Sequence, residues 1–133
     1  MFRNIQKWFV LCGCMLALSS FSTCQEVASS DLIGCWSHSY EENLNTSKNE
    51  VYRACDYKEF PASRFRFTLE LLEAGQCKWL ALSPSDGHFM TEGTWKFEKT
   101  NNQLSLFNNE GALIKEYRVK GLKNKVLLLL PLE

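Results

Sequence analysis

Histidine is scarce: the 133 residues hold two, His38 and His88. That excludes the metalloprotease pair HExxH, and the cysteines offer no CxxC spacing from which a metal site could be built. A GxSxG nucleophile elbow is missing, as is any glycine-rich loop that would cradle a phosphate. Lys and Arg nowhere form a block, so the electrostatic footprint of a nucleic-acid binder is lacking. The apolar run from Trp8 to Leu18 falls short of the ~20 residues a bilayer-crossing helix needs. Beyond it, no useful stretch repeats its apolar residues at the 3.6-residue period of a helix.

What is present begins with an export signal. Arg3 and Lys7, without an acid, precede the apolar run, and a small polar exit follows at Ser19 to Thr23. Positive n-region, short h-region and small-residue exit make residues 1–23 a secretory signal peptide. LSSFSTCQ resembles a bacterial lipoprotein signal, which implies that Cys24 is acylated and becomes the first mature residue. The departure from that pattern is Thr23, where Gly, Ala or Ser is usual; cleavage near Cys24 or around Ala28 without a lipid is the alternative. Either way the chain is expected outside the cytoplasm, in the cell envelope or secreted. Without Arg3 and Lys7, 13 of the 15 basic residues face all 15 acids. This near-neutral balance argues against a nucleic acid or an anionic surface as partner.

After a short linker at 24–30, residues 31–133 read as one domain. RFRFTLEL alternates Phe65, Phe67, Leu69 and Leu71 against Arg64, Arg66, Thr68 and Glu70, the pattern of a half-buried strand. CKWLALS, FMTEGTWKFE, LSLF, ALIKEYRVK and KVLLLL follow, separated by EAGQ, SPSDGH, KTNNQ, NNEG and GLKN turns. Gly93 marks a bend, a bulge or a close approach. Upstream, GCWSHSY makes a strand, and EENLNTSKNE is a polar loop. VYRAC either adds a short strand or belongs to a long connection lying over one end. The sequon at Asn45 would be glycosylated only in a eukaryotic secretory pathway. The predicted fold is all-β: an antiparallel up-and-down meander closing into a small barrel of 7–8 strands, which removes the exposed edges of an open sheet.

DLIGCWSHSY places Gly34 and Trp36 at the head of the first strand. This resembles the Gly-x-Trp signature of lipocalins, and VYR, FPASRFRF, CKWLALSPSDGHFM and EGTWKFE extend the likeness to small lipocalin-like domains of bacterial exported proteins. The resemblance implies that Trp36 plugs one barrel end. It also implies a late Arg stacked on that Trp; Arg118 is the only candidate, and alternation sets it opposite Tyr117 and Val119. Such a barrel is just wide enough for its own side chains or one small ligand. Bulky inward candidates (Phe65, Phe67, Trp79, Phe89, Trp95, Phe97) favour a filled interior.

Three expectations about chemistry follow. Trp79, Phe89 and Trp95, on consecutive hairpin strands, form one aromatic wall that could contact a small apolar ligand. Cys35, Cys55 and Cys77 are the disulfide candidates, with Cys55–Cys77 the first choice and Cys35–Cys55 the second, after Cys12 and Cys14 leave with the signal. Metal and cofactor ligands are not expected, and neither is a catalytic residue. Asp86 and His88 flank Gly87 beside Ser83 and Ser85 as a turn cap, and adjacent Glu41 and Glu42 point apart. The function expected is a non-catalytic exported binder of a small hydrophobic ligand or an envelope partner. A cell-envelope enzyme using the Asp86/His88 hairpin and Arg53 is the alternative.

Overall fold

The computed structural model describes residues 26–85 and 87–133. Eight antiparallel strands close into one barrel: β1 (Gly34–His38), β2 (Glu50–Ala54), β3 (Thr68–Leu71), β4 (Gln76–Leu82), β5 (His88–Glu98), β6 (Gln103–Asn108), β7 (Leu113–Lys123) and β8 (Val126–Leu132). Period-two alternation dictates which side chains meet inside. Leu69, Leu71, Leu104, Leu106, Leu127 and Leu129 are completely buried and, with Trp36, Tyr52, Cys77, Trp79, Trp95 and Tyr117, fill the interior. VYRAC is a full member of the sheet as β2, pairing with both β1 and β8.

From β3 to β8 each strand pairs with the next in sequence. The exception to strict succession is at the start, where β1 lies between β2 and β3 and the barrel closes through β2 against β8. Residues 55–67 must therefore climb from the end of β2 to the start of β3 across the outside of β1. Their foot is fixed by a disulfide between Cys35 and Cys55, Cα atoms 5.3 Å apart. Above it, Arg66 donates to the His38 and Pro61 carbonyls (2.8 and 3.0 Å) and grips both oxygens of Glu41 (2.9 and 2.6 Å). Arg53 grips Glu42 in the same two-pronged way (2.7 and 2.6 Å). This strap buries Ser37 on the outer side of β1, where its hydroxyl meets that of Thr68 at 3.0 Å.

The expected Cys55–Cys77 bridge is not the one formed: Cys77 is a free, buried thiol. The reason is the face each residue occupies. Trp36 points inward, so Cys35 points outward, directly opposite Cys55 in the register that pairs Trp36 with Ala54. Cys77 shares the inward face of β4 with Trp79, and burial raises its thiol pKa to about 11.

Glycine is required at two positions. Gly34 opens β1 at φ 147°, a backbone angle that side-chain-bearing residues rarely adopt. Gly93 has no room for a Cβ, which would collide with the Phe107 carbonyl and lie 2.7 Å from the Trp79 ring. Trp79 thus packs onto the bare backbone of β5. The β7–β8 turn places Asn124 and Lys125 at φ 52° and 59°, the handedness that a tight two-residue hairpin demands.

Candidate functional site

The barrel's two ends differ. At the end holding the starts of β1, β4, β6 and β8, the helix α1 (Ser29–Leu32) inserts Leu32 completely, and Val27 is buried beside it. The packed domain therefore starts before residue 31. Trp36 lies under this plug and donates its indole N–H to the Leu32 carbonyl at 2.8 Å. Trp95 donates likewise to the Leu72 carbonyl at 2.8 Å. Both indoles are satisfied and nearly covered, as buried tryptophans generally are.

Trp79 and Trp95 are core residues, and the expected wall that would include Phe89 does not form. Phe89 lies on the inward-facing row of β5 but is 50 % exposed, because the β4–β5 hairpin overshoots the barrel and carries it onto the rim. Leu82 and Met90 are exposed on the same overhang. Arg118 is exposed on the outward row of β7, opposite Gln103 and Leu130, so it does not stack on Trp36.

Among the described residues no segment plugs the second end. β1, β2, β7 and the strap end before β3 bring polar and aromatic groups together there. His38 stacks on Tyr52 (ring centroids 5.0 Å, planes 16° apart). Tyr52 stands nearly perpendicular to Phe67 at 6.4 Å and to Tyr117 at 6.3 Å. The Tyr52 hydroxyl donates to Glu50 Oε2 at 2.8 Å and lies 3.5 Å from the Tyr117 hydroxyl. With Tyr52 committed as a donor to Glu50, Tyr117 is the donor between the two phenols. The Lys115 ammonium rests 4.4 Å above the Phe67 ring and 6.0 Å from that of Tyr117. A cavity of about 200 Å³ adjoins this cluster at the β7–β8 edge, walled by Glu50, Lys115 and Tyr117 together with Ile114, Glu116 and Pro131, and not by Tyr52 or Phe67.

Burial governs the acid–base behaviour of this cluster. Removal from water pushes the Tyr117 phenol up to about 12 and Tyr52 further in the same direction, so neither ionises near neutrality. Burial also lowers the His38 pKa; Glu50 and the Asn43 side chain oppose that shift, and Lys115 and Arg66 add to it. Asn43 holds the imidazole Nε2 at 3.0 Å and accepts the Val51 N–H at 2.9 Å. The groups can form hydrogen bonds and accept a cation against their ring faces. They do not form a nucleophile–base pair.

The other sequence-predicted residues fall as follows. Cys24 and the signal region lie outside the described residues, and so does Asp86. The Ser83 hydroxyl accepts the Gly87 N–H at 2.9 Å and meets Ser85 at 3.1 Å, closing the turn; His88 is set edge-on to Phe65 at 5.5 Å. The sequence alone does not group His38, Glu50, Tyr52, Lys115 and Tyr117. The signal was there in part, since alternation through GCWSHSY, VYR and IKEYRV places Trp36 with His38 and Tyr117 with Lys115.

The class of protein defined by these features is a closed eight-stranded antiparallel β-barrel with one plugged and one unplugged end. Comparison with known proteins finds no family model, no curated protein and no solved structure that matches the chain. Its disulfide is compatible with an exported protein. Among the described residues no helix is long and apolar enough to cross a membrane.

Proposed function

We propose that this protein is an exported, lipocalin-like barrel of the bacterial cell envelope that binds a small, largely apolar ligand at its unplugged end and catalyses no reaction. The observation that carries the reading is the contrast between the ends: one is sealed by Leu32 over Trp36, the other exposes Phe89 and Lys115 around buried tyrosines. The Gly-x-Trp resemblance implies a tryptophan plugging one barrel end, and the burial of Trp36 at the sealed end, under Leu32, supports it. The tightly filled centre moves ligand contact away from Trp79 and Trp95 and onto the rim. A lipid on Cys24 would tether the sealed end, where the described chain begins, and turn the ligand-binding end away from the bilayer. An enzyme built on the Asp86/His88 hairpin draws no support from the serines there, which are used in closing the turn.

Three experiments test the reading. Labelled palmitate is expected in the wild type and not in Cys24→Ser; label retained in that variant rules out the anchor. A hydrophobic fluorescent probe is expected to bind saturably and more weakly to Phe89→Ala. Absence of saturable probe binding would remove the apolar-ligand reading. Substrate turnover abolished by His88→Ala would put an enzyme in its place.

A further inference from the structure

We propose, building on the binder reading, that the unplugged end is a recognition box for small organic ammonium ions, and that Lys115 fills it in the free protein. Phe67, Tyr52 and Tyr117 meet at steep angles, 86° and 75°, so their faces and edges wall a corner rather than stack away from it. Aromatic faces carry negative potential and attract ammonium groups, most strongly where water is partly excluded. The chain demonstrates the fit itself: the Lys115 ammonium sits over two of these rings, at 4.4 and 6.0 Å. Glu50 supplies a carboxylate in the cavity that adjoins this corner and shares Lys115 and Tyr117 with it, and the Tyr52 hydroxyl holds that carboxylate at 2.8 Å. Lys115 forms no ion pair among the described residues, Glu50 included. Its long, exposed side chain can therefore swing out without breaking a salt bridge.

The arrangement favours a cation over an anion. An anion drawn to Lys115 would face the Glu50 carboxylate, and the buried tyrosines offer no positive charge to offset it. An ammonium ion replacing that of Lys115 takes over the contacts with the Phe67 and Tyr117 rings and, free of a tether, can approach the Glu50 carboxylate as well. Lys115 is then an internal competitor, and its removal strengthens binding.

Isothermal titration of the purified protein with tetramethylammonium chloride, referenced to sodium chloride at equal ionic strength, tests this. Lys115→Met is expected to bind on the order of tenfold tighter than wild type, and Glu50→Gln or Phe67→Leu placed on that background weakens binding again. Equal affinity in wild type and Lys115→Met, or no binding by either, overturns the proposal. Sodium acetate bound by wild type and lost in Lys115→Met overturns it in favour of an anion site. The apolar-probe titration separates the two readings: probe binding without ammonium binding sinks the box alone, and failure of both sinks the binder as well.

Discussion

Cys35 and Cys55 face each other across β1 and β2, and the Cys55 N–H donates to the Cys35 carbonyl at 3.0 Å. The bridge is outside the barrel wall, at the point where the chain leaves β2 to cross over β1. It closes a loop with a sequence separation of 20 residues. In the loop-entropy account, a closure of that length contributes on the order of 3 kcal/mol. Replacing both cysteines by serine should lower the denaturant midpoint accordingly. A change below ~0.5 kcal/mol would show that the strap is held by its arginines alone.

Those arginines make the strap acid-sensitive. Hydrogen bonds from Arg66 and Arg53 hold Glu41 and Glu42 at about 2, well below the ordinary 4.5. A carboxylate depressed in the folded state stabilises the fold above its unfolded pKa and ceases to do so as pH falls through the folded one. His38 acts in the same direction over a higher range: with its folded pKa below the ordinary 6.5, the unfolded chain takes up the proton first. Thermal stability should therefore fall as pH drops below about 6.5, and again between about 4.5 and 2. In Glu41→Gln/Glu42→Gln the lower step should shrink, and persistence of the full step would assign it elsewhere.

Gly93 provides a sharper test of packing. Because a Cβ there meets both the Phe107 carbonyl and the Trp79 ring, Gly93→Ala must push β5 from β6 or displace the indole. Overpacking of this kind costs roughly 1–3 kcal/mol. Trp79 emission should shift toward that of an exposed indole. A neutral substitution would mean that β5 can move away from β6 freely.

Alternation made most of the barrel legible. From CKWLALS to KVLLLL the buried face of each strand is an apolar row, although KVLLLL is apolar on both rows and buries only that of Leu127 and Leu129, and the turns fall where Gly, Asn and Asp cluster. Pairing order was not legible, because periodicity says which face a residue occupies and nothing about which strand lies beside it. Hence VYRAC was ambiguous, and the position of β1 between β2 and β3 was invisible. The RFRF stretch is a related case: its alternation is real, yet residues 64–67 belong to the strap, where Arg66 is spent on Glu41 and two carbonyls, and the ladder proper starts at Thr68. Parity could have excluded Cys77 as a partner, since it shares a face with Trp79. Alternation places Phe89 on the inward row of β5, but the overshoot of its hairpin depends on barrel height. The tyrosine cluster is not legible in the sequence because its members come from strands far apart in the chain.

Trp36 should be the most costly core residue to truncate at the sealed end. It is 6 % exposed and holds the Leu32 carbonyl, so Trp36→Ala removes both a plug and a hydrogen bond. A loss of roughly 3–5 kcal/mol is expected in equilibrium unfolding. Trp36→Phe should recover much of the packing while leaving the carbonyl unpaired. If both variants unfold at the wild-type midpoint, Leu32 seals the end without help from the indole.

The two buried tyrosines should respond unequally to loss of a single oxygen. Tyr52 is the hub: its hydroxyl donates to Glu50 and is the only protein partner of the Tyr117 hydroxyl among the described residues. Tyr52→Phe removes both bonds and strands the Tyr117 donor in a residue that is 2 % exposed. An unsatisfied buried donor costs about 1–3 kcal/mol. Tyr117→Phe instead deletes that donor and leaves the Tyr52–Glu50 bond intact, so the penalty should be ~1 kcal/mol or less. The double variant should be no worse than Tyr52→Phe alone, because the stranded group has then been removed. Denaturant titrations of the three variants decide the matter. A larger loss in Tyr117→Phe than in Tyr52→Phe would reverse the donor order and make Tyr117 the centre of the network.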